Sequence, residues 1–296
     1  ANVFENRGIR IQLADSQEDH PNMDPESFQR LIGPNSRAVV FMSYGGQNNG
    51  IEEVTAIAEK HGLVVIEDAA HSFGSMHQNR AIGSFGDLAS FSFHDSKALS
   101  CGQGGVLLVN HAGWGDRIRS IRDHGTNRWQ VEEGRCDAYN WTSLGGEFNL
   151  PELSAALLFG QMEHEEHNQA LRKNSWHYYY NRLLPFSAGR FELPEVPGEG
   201  CNYPVFYMVL KTQEQRTAFI AHMASRGIAV AIHYTGLHRS SFYRLKYGCM
   251  ELPHADRFAL CLIRLPLYAG LTMEQLERVC LAVEQFYTKA YDASLV

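Results

Sequence analysis

Apolar and polar positions follow one another along this chain in short, well-punctuated blocks. Arg37–Ser43 (RAVVFMS) has the length and β-branched content of a buried strand, and Tyr44-Gly45-Gly46 closes it as a turn. Ile51, Val54, Ile57 and Ala58 recur at helical spacing, which predicts a helix over Ile51–His61 stopped by Gly62. Leu63–Ile66 reads as a strand that delivers Glu67-Asp68-Ala69-Ala70-His71 at its carboxyl end. Leu88–Phe93 (LASFSF) is a further strand, running into His94-Asp95-Ser96-Lys97, and Gly104–Asn110 (GGVLLVN) is another. Strands and a helix alternating at this spacing predict an α/β sheet covered on both faces. Such sheets bind ligands outside the carboxyl ends of their strands. Asp68, His71, Ser92 and Lys97 all fall there.

The second half changes rhythm. Pro151–Ala170 predicts a long helix, entered through a proline and running on through Leu184 with Trp176, Tyr179 and Leu183 facing the core. Residues 185–202, with Pro185, Pro194, Pro197 and several glycines, read as a linker. A smaller α/β unit follows: strand Val205–Leu210, helix Arg216–Arg226, strand Ile228–His233, strand Arg264–Leu267 and helix Met273–Tyr287. The expected division is a large domain over 1–184 and a small C-terminal domain over 185–296.

Composition narrows the function classes. The 296 residues are 44% hydrophobic, enough for a sizeable core, and no apolar run approaches the roughly 18 residues of a membrane span. The net charge is -7 with no basic tract, which argues against a nucleic-acid binder or a polybasic membrane binder. The six cysteines form no CxxC and no zinc-type spacing, and the chain opens without a signal peptide. A cytoplasmic chain with reduced thiols is the expectation.

The chemistry concentrates in two segments. EDAAH sets a carboxylate and an imidazole three residues apart at a strand end. SFHDSK, followed by Gly102-Gln103-Gly104-Gly105, sets Lys97 on a tight loop where backbone can approach a ligand. Together with DHGTNRWQ (Asp123–Gln130), LGGEFNLPELSAALLFGQM (Leu144–Met162), HYTGLH (His233–His238) and RLPLY (Arg264–Tyr268), these motifs resemble, in order and over essentially the whole chain, the DegT/DnrJ/EryC1/StrS nucleotide-sugar aminotransferases. HGTNR, with Tyr139-Asn140-Trp141, is most similar to the branch that makes dTDP-4-amino-4,6-dideoxygalactose.

The resemblance implies an aspartate-aminotransferase-like α/β fold, the type I fold of pyridoxal 5'-phosphate (PLP) enzymes, assembled as a homodimer with the active site at the interface. It implies transfer of an amino group from L-glutamate to a dTDP-4-keto-6-deoxy-hexose. Lys97 matches the lysine that forms a Schiff base with PLP, and Asp68 the carboxylate facing the pyridine nitrogen. His71 matches the residue against the ring, and Ser92 a hydroxyl on the cofactor phosphate. His233, Tyr234 and His238 match a loop beside the sugar nucleotide, and Asn127 and Arg128 are candidates to reach substrate or a partner subunit. No metal is expected, and the acidic His164-Glu165-Glu166-His167 reads as a solvated helix face.

Four departures accompany the resemblance. Ala1–Asn22 is similar to a segment lying well inside family members, so a helix, an early strand and a Gly/Ser/Thr-rich phosphate-gripping turn are expected to be missing upstream. Glu147 stands where many relatives carry an Asn that reaches the neighbouring subunit's PLP phosphate. Gln103 replaces a Glu, and Pro204 a His found in some relatives. The competing reading is a truncated or degenerate paralogue that only binds or assembles. A sugar dehydratase of the same family is opposed by Lys97, where those enzymes carry histidine. A dinucleotide oxidoreductase is opposed by the absence of GxGxxG opening a helix.

Overall fold

A computed structural model describes residues 1–293, with side chains through residue 288. Among the described residues nine strands run in chain order: β1 Ala38–Met42, β2 Val64–Asp68, β3 Met76–His77, β4 Arg80–Ala81, β5 Leu88–Ser92, β6 Gly105–Val109, β7 Phe191–Glu192, β8 Phe206–Leu210 and β9 Leu262–Leu265. The main sheet has the order β1-β2-β5-β6, with β1, β2 and β5 parallel and β6 antiparallel to β5. A second sheet, β7-β8-β9, is antiparallel throughout, and β3 and β4 form a small hairpin.

The predicted helix forms over Ile51–Lys60 and buries Ile51, Val54 and Ala58 against Val39, Phe41 and Val65 of the main sheet. Gly62 follows it with φ +62°, the left-handed conformation that ends helices most readily when no Cβ is present. The three parallel strands lie side by side, so their carboxyl ends come to one edge. Asp68 pairs in register with Met42 on one side and Ser90 on the other. Beneath it, Glu67 is fully buried. Its carboxyl oxygens accept from the backbone N–H groups of Gly83 (2.9 Å), Phe85 (2.6 Å) and Gly86 (2.7 Å), tying the crossover loop to β2.

Three expectations from the pattern are corrected. The helix predicted from Pro151 through Leu184 is two helices, Glu152–Met162 and Glu165–Ser187. The break falls at Glu163-His164. The second helix runs on through Pro185, and β7 lies beyond it, so the expected linker over 185–202 carries structure. The strand expected at Ile228–His233 is reduced to one bridge, Ala231 with Arg264. Trp176, Tyr179 and Leu183 are buried, in a cluster with Phe206, Met208, Ile263 and Val283. A smaller cluster, Tyr44 with Tyr207, Val209, Phe258 and Leu262, joins the two sheets. On β6, at the edge of the main sheet, Val106, Leu107 and Leu108 are all more than a third exposed. No helix among the described residues is long and apolar enough to cross a membrane.

Candidate active site

The chain folds tightly after β5 to present Lys97. Phe93 N donates to Gly104 O (2.8 Å), Cys101 N to Phe93 O (2.9 Å), Asp95 N to Gly102 O (2.9 Å) and Lys97 N to His94 O (2.9 Å). These bonds close the Ser96–Gln103 loop onto the start of β6 and aim Lys97 into a cavity of about 370 Å³ between the two sheets. His71, Ser92, Lys97, His233, Tyr234 and Arg264 line it.

Lys97 is half-buried. Burial lowers the proton affinity of its amine below the ordinary lysine value, the charge of Asp68 opposes that, and the charge of Arg264 adds to it. Asp68 is therefore close enough to act on Lys97, although it is not among the lining residues. It stands half-buried at the end of β2, where its Oδ1 accepts from Ala70 N (3.2 Å).

Above the sheet edge three rings meet. The His71 centroid lies 5.5 Å from Tyr44 and 5.2 Å from His233, and Tyr44 and His233 are 5.1 Å apart. Burial pushes His71 down to about 3, with Lys97, His233 and Arg264 contributing in that order. Burial pushes His233 down to about 4, helped by Arg264 and Lys97. Both imidazoles are thus neutral near pH 7, and Lys97 and Arg264 are the other basic side chains among the described lining residues. His233 Nδ1 and Arg264 Nε are buried without a partner among the described residues. Tyr234 packs edge-on against His233 at 4.7 Å and is 78% exposed at the mouth.

Other candidates lie elsewhere. His238 is buried outside the cavity, its Nε2 2.8 Å from Asp256 Oδ1. Asn127 holds a local turn, with its Nδ2 donating to Gln130 (3.0 Å) and its Oδ1 accepting from Asn140 N (2.7 Å). Arg128 lies 3.5 Å from Asp123 and stacks over Tyr139. Glu147 accepts from Asn149 N and Nδ2 and meets His124 Nε2 at 2.5 Å. The Asn149 bonds first, and then His124, hold its carboxyl below the usual range. Asp123, His124 and Glu147 bring ligand-type atoms within 4.8 Å of one another, but His124 and Glu147 pair with each other and Arg128 sits on Asp123. His164 and His167 are exposed.

Pattern reading did not single out Arg264, which appeared only within an apolar motif. Its signal was a lone cation in a strand otherwise built of Leu and Ile. Asn202 also lines the cavity and had no sequence signal. Glu165 lines it too, which corrects the reading of its run as a solvated helix face: its side chain turns inward to pair with buried Arg172, while His164 and His167 stay exposed.

The residues present suit PLP. A half-buried amine faces the cavity to take an aldehyde, and a carboxyl group at a strand end acts on that amine. A flat neutral imidazole offers a ring face, and a hydroxyl at the end of β5 suits a phosphate oxygen.

Residues 1–284 match the sequence model of the DegT/DnrJ/EryC1/StrS aminotransferase family. Among solved structures, the chain is similar to the aminotransferase TlmJ from Streptoalloteichus hindustanus, with TM-score 0.89 and 24% identity over 98% of this chain and 76% of that one. It is similar to Helicobacter pylori PseC, an aminotransferase of pseudoaminic acid biosynthesis, with TM-score 0.89 and 23% identity over 98% of this chain and 76% of that one. It is also similar to S. venezuelae DesV, solved with a ketimine intermediate, with TM-score 0.80 and 28% identity over 92% of this chain and 71% of that one.

Proposed function

The chain belongs to the DegT/DnrJ/EryC1/StrS aminotransferase family, and from that premise we propose how its cavity works. It is a PLP-dependent sugar aminotransferase that takes an amino group from L-glutamate and places it on the keto carbon of a dTDP-4-keto-6-deoxy-hexose, giving a 4-amino-4,6-dideoxy sugar nucleotide for surface polysaccharide. The observation that carries the reading is the grouping of a half-buried amine, Lys97, with Asp68 acting on it and with His71, His233, Ser92 and Arg264 around the same cavity.

The cofactor, when bound, supplies an electron sink for the carbanion formed at the transferring carbon. The protein does the rest. Lys97 would anchor the aldehyde. Because burial lowers its proton affinity, its Nζ would be able to take up and release a proton at the transferring carbon. Asp68 would hold a proton on the ring nitrogen. Neutral His71 would lie against the ring without placing an imidazolium beside Lys97. Ser92 would donate to the phosphate. Arg264, with its Nε unpartnered, receives the carboxylate of the donor amino acid. Neutral His233, its Nδ1 also unpartnered, and exposed Tyr234 meet the sugar at the mouth.

The working unit in this reading is a homodimer. Leu153, Leu157, Phe159 and Met162 on the helix Glu152–Met162 are exposed, as are Trp141, Leu144 and Phe148 before it. Apolar side chains gathered on one segment suit a subunit interface. Asn127 and Arg128 would then act toward the neighbouring protomer.

The test is turnover. With L-glutamate and a dTDP-4-keto-6-deoxy-hexose, the PLP-loaded protein should form 2-oxoglutarate and amino sugar in equal amounts. Formation of 2-oxoglutarate with no amino sugar from any keto sugar nucleotide would contradict the substrate assignment.

A further inference from the structure

His71 owes its place to a residue more than a hundred positions away. Asn202, 3% exposed, lies in the segment leading into β8. Its Nδ2 donates to two carbonyls of the loop after β2, His71 O at 2.9 Å and Phe73 O at 3.0 Å. Its backbone N donates to Ser75 Oγ at 3.0 Å, at the end of the same loop. Its Oδ1 rests on the other wall: a Cβ added at Gly46 (φ +80°) would lie 2.4 Å from it, so only glycine allows the approach. Gly45, next to it, donates its N–H to His71 Nδ1 at 3.4 Å, and Tyr44 presents its ring to His71. One amide thus touches both backbone segments that bound the His71 ring.

Asn202 is itself held from behind. Arg172 Nε donates to Asn202 O at 3.3 Å, and the Arg172 guanidinium pairs with Glu165 at 2.7 Å with both side chains mostly buried. Gln169 Nε2 donates to Cys201 O at 3.0 Å. The helix Glu165–Ser187, whose core residues pack with β8 and β9, therefore grips the segment that carries Asn202.

We infer that Asn202 is a positioning residue for the cofactor face: it locks the His71 loop against the Tyr44–Gly46 turn and ties that alignment to the C-terminal sheet. This rests on the PLP reading above and adds to it a residue of the cavity wall whose effect on the cofactor passes through the His71 ring. The side chain must be an amide of this length. The two carbonyls need a donor with two N–H groups, and the isosteric Asp would turn an acceptor toward them.

The experiment is a double-mutant cycle read as PLP affinity by absorbance titration of the purified chain, using Asn202→Asp, His71→Ala and the pair. Each single substitution is expected to weaken PLP binding about tenfold, the size of one buried hydrogen bond in a binding constant. The pair is expected to bind no more weakly than the weaker single, because both act through one ring. Ser75→Ala, a milder loosening of the same clamp, should weaken binding by a smaller factor, and that effect should vanish in the His71→Ala background. It carries the test if Asn202→Asp does not fold. Losses that multiply in the double variants, or PLP affinity unchanged in Asn202→Asp and Ser75→Ala, would overturn the assignment. A wild-type chain that takes up no PLP overturns the cofactor reading itself and this inference with it.

Discussion

At the scale of single residues, the site works by setting protonation states through burial. His71 and His20 are both buried, and burial pushes them to about 3 and about 4 from an ordinary value of 6.5. Between those values and 6.5 the unfolded chain takes up protons that the native chain refuses. Stability therefore falls as pH drops through that window and is fully present above it. Each histidine contributes at most about 1.4 kcal/mol per pH unit. Thermal unfolding from pH 7 to pH 4.5 should show a steep loss of Tm, and His20→Gln should flatten it; a slope unchanged in that variant would contradict the assignment. Asp68→Ala should keep the wild-type unfolding midpoint yet lose on the order of a thousandfold or more in amino transfer, since the ring nitrogen loses the acid that holds its proton. A variant within tenfold of wild type would make Asp68 structural. Glu147 remains ionised near neutral pH because Asn149 and His124 hold its proton affinity down. If its carboxylate meets the phosphate in the assembled dimer, Glu147→Asn should tighten PLP binding severalfold in a titration; equal affinity would show that the two do not meet.

At the scale of elements, β2 is the part that must not move, because Asp68 ends it and Glu67 anchors it. Removing Glu67 leaves three backbone N–H groups without this acceptor, those of Gly83 and Gly86 buried and that of Phe85 part-buried. Glu67→Ala should therefore cost about 3 kcal/mol in denaturant unfolding, whereas a loss below about 1 kcal/mol would mean that the crossover loop is held by packing alone. The elements that carry this site were legible in the sequence because their signals are local. Val64–Asp68 and Leu88–Ser92 are apolar runs with chemistry at their ends, and Ile51–Lys60 has a clear period and a glycine stop. What escaped depends on contacts far along the chain. Ile228–His233 has the composition of a strand, but only Ala231 finds a partner, so one bridge forms. The helix break at Glu163-His164 has no Gly or Pro to announce it, and Pro185 falsely suggested a stop. Arg264 and Asn202 acquire their roles only when β9 and the segment before β8 fold back onto the first sheet.

At the scale of the whole molecule, the site lies where the two sheets meet, and the helix Glu152–Met162 leaves apolar side chains uncovered. Sedimentation of the purified chain should report a dimer, and the paired substitution Leu153→Glu, Phe159→Glu should shift it toward monomer without lowering the unfolding midpoint. A wild-type monomer at tens of micromolar protein would contradict the interface. The account as a whole depends on one amine and one carboxyl group serving a single pyridoxal ring. The most direct check is to load the protein with PLP, reduce it with borohydride and map the modified peptide by mass spectrometry. The account predicts a pyridoxyl label on Lys97, lost in Lys97→Ala and kept in Asp68→Ala. A label on any other lysine, or none in a protein that has bound PLP, would contradict it.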